Sequence, residues 1–399
     1  MSFNIANTGL SAVTEQLNSI SNNIANSGTK GFKSSRTEFS SMYAQSQPLG
    51  VGVSGTSQSI QKEGSIDRTG NAMDLAISGS GFFVVKNSSG DDAYTRAGMF
   101  TTDNNGVLVN TSGMKLQGYP ADAAGNVQTG IIGDLKISTT GLPAKATSKL
   151  DFVANLNAAA TRPTVTTFAA NNKNSYNFMS TSNAYDSLGR SHSVQQYFVK
   201  DVAAGKWQVN YAIDGTTLTA PVHDLEFDTS GVLVGTTSTN TLTGSYTPVG
   251  ADAFSIALDY TGTTQFQSEF LPTRNKVDGY TSGTKNGERI ESDGSVYATF
   301  SNGERMLQGK LVLANFANPN GLAAQNGTTW SVTGQSGAAL LGAPGTGLLG
   351  GIETGALESS NVDLTAELVG LMTAQRNYQA NTKIISTNDS MMNALFQVL

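Results

Sequence analysis

The chain contains no cysteine and only two histidines, His192 and His223, among its 399 residues. Without thiols there is neither a disulfide framework nor thiolate chemistry. A zinc site would have to rest on carboxylates, so ordinary surface or turn histidines are the better reading, and no cofactor is expected. Charged side chains make up only 14% of the sequence, and 24 basic against 30 acidic residues leave a net charge of −6 with no basic block. Nucleic-acid binding needs a Lys/Arg footprint, so that class of partner is excluded. The longest apolar runs, such as Phe82-Phe83-Val84-Val85, are far too short to span a bilayer, and membrane insertion is not expected. The opening Met1-Ser2-Phe3-Asn4-Ile5-Ala6 lacks the basic and apolar regions of a secretory signal. A protein of this kind would leave the cell by a route that needs no cleaved signal peptide. Proline is scarce too, and all nine lie between Pro48 and Pro344, which leaves both ends free of helix breakers.

What is present is patterned. Phe3, Ala6, Leu10, Val13, Leu17, Ile20 and Ile24 are separated by alternating steps of three and four, the seam of a helix built to lie along another helix. At the other end Leu364, Leu371, Tyr378, Ile385, Met392 and Leu399 recur every seven residues, with Leu368 and Phe396 on the companion positions. Gln375, Thr382 and Asp389 interrupt that companion line, which costs stability but restricts register and partner. An amphipathic helix packing on its own domain shows similar spacing. Here the stripes occupy both termini and neither adjoins a strand that covers it. The ends are therefore expected to meet each other and their copies in an assembly.

Between the ends the sequence reads as β-structure. The 44 glycines, with abundant Ser, Thr and Asn, favour short strands joined by tight turns. Residues 29–72 are polar and glycine-rich with isolated apolar anchors, and are expected to be an extended connector. Strand patterns begin at Asp74, and Asn104-Asn105-Gly106 is a hairpin-type turn. Near residue 146 the composition shifts toward Ala, Thr and Asn. In that stretch Leu150, Phe152, Ala154 and Leu156 alternate with other residues, as do Trp207, Val209, Tyr211 and Ile213. The shift reverses near Tyr280. The expected architecture is multidomain: α-helical coiled-coil termini plus two mainly-β domains, the second inserted in the first. The boundaries read as 1–28 with 360–399 for the helical assembly domain and 29–72 with 345–359 for the connector. The first β-domain takes 73–145 with 281–344, and the inserted outer domain 146–280.

Catalytic motifs fail their context. Gly50-Val51-Gly52-Val53-Ser54-Gly55 matches the dinucleotide-binding pattern letter for letter, yet it follows Gln47-Pro48 rather than a strand, and reads as a flexible glycine stretch. Ser27-Gly28-Thr29-Lys30 has the spacing of an acylated serine but lacks a companion Lys-Thr-Gly. No pair of carboxylates stands out among thirty acidic residues. No catalytic, cofactor-binding or metal-binding residue is assigned, and an enzyme is not expected.

Leu17 to Asn26, containing Asn22-Asn23-Ile24-Ala25-Asn26, followed by Thr29-Lys30-Gly31-Phe32-Lys33, resembles the N-terminal signature of bacterial flagellar rod and hook proteins. Ser360-Asn361-Val362-Asp363-Leu364, Glu367-Leu368-Val369 and the run Ala374-Gln375-Arg376-Asn377-Tyr378-Gln379-Ala380-Asn381 are similar to their C-terminal signature. Asp74-Leu75-Ala76-Ile77, Gly81-Phe82-Phe83 and Tyr94-Thr95-Arg96-Ala97-Gly98 resemble motifs between them. Within the family, the chain's length and Leu313-Ala314-Asn315-Phe316-Ala317-Asn318 are most similar to the hook members. The resemblance implies an exported, extracellular subunit of the hook, built through the type III export apparatus next to the basal body. It implies a helical homopolymer acting as a universal joint between rod and filament. Its neighbours would be the distal rod protein, the hook cap and the hook–filament junction proteins. Two other readings stand beside it: a distal rod axial protein, and, from another class, a secreted adhesin or binding module. The last predicts a concave aromatic cluster from Trp207, Tyr211 and Tyr197.

Overall fold

The computed structural model describes residues 2–44, 47–122, 125–218, 222–236, 241–243 and 246–398. The chain is mainly β-structure with two helices at its ends, α1 (Ser2–Ala25) and α2 (Leu364–Val398). It divides into two units. Unit 1 comprises residues 1–139, 287–299 and 305–399, and unit 2 comprises 140–286 with 300–304.

In unit 1 the stretch expected as an extended connector differs from that expectation. Residues 35–58 form a long antiparallel hairpin, β1 (Ser35–Ala44) and β2 (Gln47–Gln58), broken by register shifts at Glu38/Phe39 and Met42/Tyr43. The glycine run read as flexible is ordered within β2. Its first member, Gly50, has φ +110°, and a Cβ there would lie 2.1 Å from Thr8 Oγ1 on α1. Only glycine permits that approach. The strands β3 (Ile66–Arg68) and β4 (Leu75–Ser78) pair with Ala356–Glu358 and Gly351–Thr354, so the chain leading out of the sheet region returns alongside the chain leading in. Phe82–Lys86 runs through the middle of the main sheet, between Asp92–Thr95 and Lys115–Pro120. Its apolar face packs edge-to-face: Phe82 lies 5.8 Å from Phe316 and 5.6 Å from Trp330, and Tyr94 lies 4.8 Å from Phe316.

Unit 2 sets a four-stranded sheet containing Lys149–Asn155 against a six-stranded sheet containing Ser191–Lys200 and Lys206–Ile213. The two-residue alternation is realised: Leu150, Phe152 and Ala154 are buried together with Trp207, Val209, Tyr211 and Ile213 in one core. A polar chain crosses this core. The Tyr211 and Tyr260 hydroxyls lie 2.7 Å apart, His223 Nδ1 is 2.8 Å from Tyr211 Oη, and the Tyr260 hydroxyl donates to Gln196 Oε1 at 2.7 Å. Burial pushes both phenol pKa values up, so these hydroxyls stay protonated and keep their bonds.

Tight turns in unit 2 carry carboxylates held as anions. Burial opposes ionisation of Asp186, but the Arg190 N–H and guanidinium, His192 and the Leu188 N–H outweigh it and bring its pKa to about 2. Asp259 falls to about 2 chiefly through Thr261, with Lys149 adding to the effect. Asp278 reaches about 2 because Ser148, Lys149 and Lys145 overcome its burial. A depressed carboxylate contributes stability that is complete above its unfolded pKa of 3.8 and is lost as pH falls through the folded value. Unit 2 should therefore hold its melting temperature down to about pH 4 and lose it progressively between pH 4 and 2. Calorimetry across that range checks this, and an unchanged transition at pH 2 would show that the three turns contribute nothing.

Candidate assembly surface

A buried ion network anchors both helices to the β-structure of unit 1. Lys33, Arg96 and Glu358 are 1%, 3% and 1% exposed. Lys33 Nζ donates to Glu358 Oε1 and to the Lys62 carbonyl, both at 2.7 Å, while Arg96 Nη1 reaches Glu358 Oε2 at 3.2 Å. Arg96 Nη2 donates to the Gly79 carbonyl at 2.8 Å, and the Gly64 N–H donates to Glu358 Oε1 at 3.0 Å. Burial pulls the Lys33 ammonium below the ordinary lysine pKa, against the opposing attraction of Glu358. Gly31 fits the same junction. Its N–H donates to the Glu358 carbonyl at 2.8 Å, its φ is +71°, and a Cβ would stand 2.5 Å from the Ala97 nitrogen.

Two asparagines extend the network. Asn361 Oδ1 accepts from the Ser34 N–H at 2.7 Å, and its amide donates to the Ser59 and Lys62 carbonyls. Asn23, 1% exposed on α1, donates to the Ser35 carbonyl of β1 and to Glu367 Oε1 of α2 at 2.7 and 2.8 Å, and accepts from the Ser35 N–H. Asp363 caps α2 by accepting from the Thr365 and Ala366 N–H groups. Lys30 binds Asp67 and Ser359, which accounts for its place in the serine–lysine motif.

The helices run antiparallel. Gly9 faces Asn381, Ile20 faces Gly370 and Asn23 faces Glu367. Val13, Ile20 and Ala374 form the buried contact, with Leu17, Ile24 and Leu371 packed at its margin. Ala6 is buried and Leu10 half-buried, but Phe3 at the first turn is 43% exposed. The C-terminal seam departs from the sequence reading. Leu371 and Ile385 are half-buried, and their companions are Glu367, Ala374 and Asn381, one residue before the expected Leu368, Gln375 and Thr382. Leu368 is thereby turned away from α1, at 46% exposure, beside Val369 and Met372, while Leu364, one heptad before Leu371, is 45% exposed where α2 begins past the end of α1. Tyr378 is 39% and Met392 46% exposed. Leu399 and the Phe396 side chain lie outside the described residues. Among the described residues, unit 1 thus leaves an apolar face on α2 with nothing against it.

Four family models match successive parts of the chain. Residues 3–33 match the flagella basal body rod protein, 76–148 the flagellar hook protein FlgE/F/G D1 domain, 155–280 the flagellar basal body protein FlaE D2 domain, and 353–398 the flagellar basal body rod FlgEFG protein C-terminal region. Over its full length the sequence is 40% identical to the flagellar hook protein FlgE of Escherichia coli strain K12 and 39% identical to that of Salmonella typhimurium, with 99% of each chain covered in both comparisons. The chain belongs to the flagellar hook protein family. Membership makes it a structural subunit of the hook and a protein of motility; the family is a structural one. The crystal structure of Helicobacter pylori flagellar hook protein FlgE2 shares the fold, with a TM-score of 0.56 at 14% identity over 73% of this chain and 100% of that one.

The signature positions of this hook family member therefore have visible work. Asn23, Gly31, Lys33, Asn361 and Asp363 build the junction and the helix cap. Asn22 and Asn26 bond each other along α1, and Phe32 offers its carbonyl to the Asn361 N–H. Ile24 and Val362 are half-buried, whereas Ala25, Gln375 and Arg376 are exposed. Glu358 and Arg96, which hold the junction together, were not singled out by the sequence reading as site residues. Each looks like an ordinary charge, and Lys33 and Glu358 stand 325 positions apart. The aromatic cluster required by an adhesin is spent on packing: Trp207 and Tyr211 are fully buried and Tyr197 is 3% exposed.

Proposed function

We propose that copies of this chain polymerise through α1 and α2 into a curved tube that joins rod to filament and transmits torque while bending. The observation that carries the reading is the uncovered stripe Leu368, Val369 and Met372, with Leu364 exposed at its start, on a helix whose opposite face is already taken by α1. Such a stripe is satisfied when helices of many copies pack as coiled coils in concentric layers around a channel. The seam residues are then shared between two contacts. Val13, Ile20 and Leu371 hold the pair within one subunit, and Leu364, Leu368 and Tyr378 meet neighbouring subunits. The β-domains lie outward, where contacts of polar Gly, Asn and Ser surfaces slide at low cost as protofilaments lengthen and shorten in each revolution. In this reading the subunit is exported without a cleaved signal peptide. It sits outside the cell between the distal rod protein and the hook–filament junction proteins, and it assembles beneath the hook cap. Introducing the gene into a strain lacking its own hook protein should restore swimming and curved hooks in electron micrographs. Straight rods or bare basal bodies would refute the reading.

The segment from 146 to 280 is proposed to act as an inserted outer domain that tunes curvature. Its entry and exit strands pair at Leu142–Gly283 and Lys145–Tyr280, so a short Gly/Ser bridge between Lys145 and Tyr280 can replace what lies between. The shortened chain is expected to polymerise into tubes of altered curvature. Complete loss of polymer would show that this segment, and not the helices, drives assembly.

A further inference from the structure

We propose that the C-terminal end of α2 of one copy seats in the cleft between α1, α2 and the β1–β2 hairpin of a second copy. The inference rests on the polymer reading and identifies one contact within it. The cleft, about 480 Å³, is lined by Ile5, Ala12 and Val13 of α1, Phe39 and Val51 of the hairpin, and Ala380 of α2, and none of the described residues that border it is charged. The occupant follows from the unequal lengths of the helices. With Gly9 opposite Asn381 and Ile20 opposite Gly370, the first residue of α1, Ser2, stands level with Asn388. From Asp389 onward α2 runs on for about ten residues, or about 15 Å, with no α1 beside it. Met392 lies on the face that Leu371, Ala374 and Ile385 press toward α1, yet it is 46% exposed, and Met391 is 66% exposed. After Asp389 the sequence carries no charged side chain: Met391, Met392, Ala394, Leu395, Phe396 and Val398 alternate with Ser390, Asn393 and Gln397, whose spacing puts the polar residues on one stripe and leaves the rest apolar. A helix of that composition buries its broad apolar face against a partner.

A subunit cannot fill its own cleft, because its α2 already forms one wall at Asn377–Asn381 and runs straight past it. The knob and the hole are different surfaces of one chain. The contact is therefore heterologous, and repeated without closure it generates an open helix rather than a dimer.

The absence of cysteine makes the test clean. In the double variant Gln16→Cys, Met391→Cys, the first cysteine lines the cleft and the second stands on the protruding end. Within one chain they cannot meet. Gln16 is level with Ala374, about 25 Å along the helix from Met391, whereas a disulfide needs Cα atoms within about 7 Å. Oxidising assembled polymer should convert most chains into a ladder of covalent multimers, while monomer and both single variants give none. Polymer that forms yet yields no ladder would overturn the contact and leave the hook reading intact. Failure of the unaltered chain to polymerise would instead sink the hook reading. Should the double variant itself not assemble, Ala380→Phe, which fills the cleft from an exposed position, is expected to raise the concentration needed for assembly about tenfold with an unchanged monomer melting temperature. Unaltered assembly of that variant would contradict the proposal.

Discussion

Glu358→Gln is expected to unfold unit 1 while leaving unit 2 folded. The carboxylate is the acidic partner that Lys33 and Arg96 share among the described residues, and all three side chains are at most 4% exposed. Removing its charge leaves two cations in a dry site, and breaking a buried pair in this way costs about 3–5 kcal/mol. That is a large part of the stability of an ordinary domain. Junction strands Ile66–Arg68 and Ala356–Glu358 should separate first, releasing both helices from their anchor. Calorimetry should show the unit 1 transition falling sharply while the transition of unit 2, which has its own core, stays in place. Replacing the charges together, as in Lys33→Met, Arg96→Met, Glu358→Leu, should recover much of the loss. A single Glu358→Gln change that leaves both transitions in place would show that the network is not what holds the helices to the sheet.

A charge on the outward face of α2 is expected to abolish polymerisation and leave the subunit intact. Leu368→Asp places a carboxylate at a position 46% exposed in the single chain, where it stays hydrated and costs the monomer little. Buried against a neighbour, it would carry a penalty of several kcal/mol. Ile20→Asp behaves differently. The sequence leaves open whether Ile20 meets its own C-terminal helix or a copy; it is 7% exposed and packs on Gly370 and Ala374 of the same chain. That substitution should loosen the helix pair itself, so protease should trim both ends of the monomer. Sedimentation and limited proteolysis separate the two outcomes. If Leu368→Asp assembles normally, the outward stripe is not an intersubunit surface.

The helices were legible because their apolar residues keep a strict period over many turns, and because proline is excluded from both ends. On α1, Val13, Leu17, Ile20 and Ile24 of the pattern pack against α2, while Phe3 at its start is exposed. The seam on α2 was misplaced by one residue for a physical reason: the face toward α1 is built from Gly370, Ala374 and Asn381. Small side chains and asparagines let the helices approach closely, but they leave no hydrophobic signal. The bulkier Leu368, which does leave one, faces away from α1. The β1–β2 hairpin was hidden likewise. It lies along α1 through backbone contact at Gly50 and bonds such as Ser19 to Ser35 and Thr37 to the Glu15 carbonyl, so it needs no alternating apolar face. In unit 2 the cores are filled by Leu, Phe, Trp and Tyr at every second position, and there the alternation was readable directly.

Electron microscopy of the purified chain after salt-induced assembly tests the central claim most directly. Curved tubes are expected, with the Leu368, Val369 and Met372 stripe closed against neighbouring copies. Straight tubes, or no polymer under any salt condition, would contradict it.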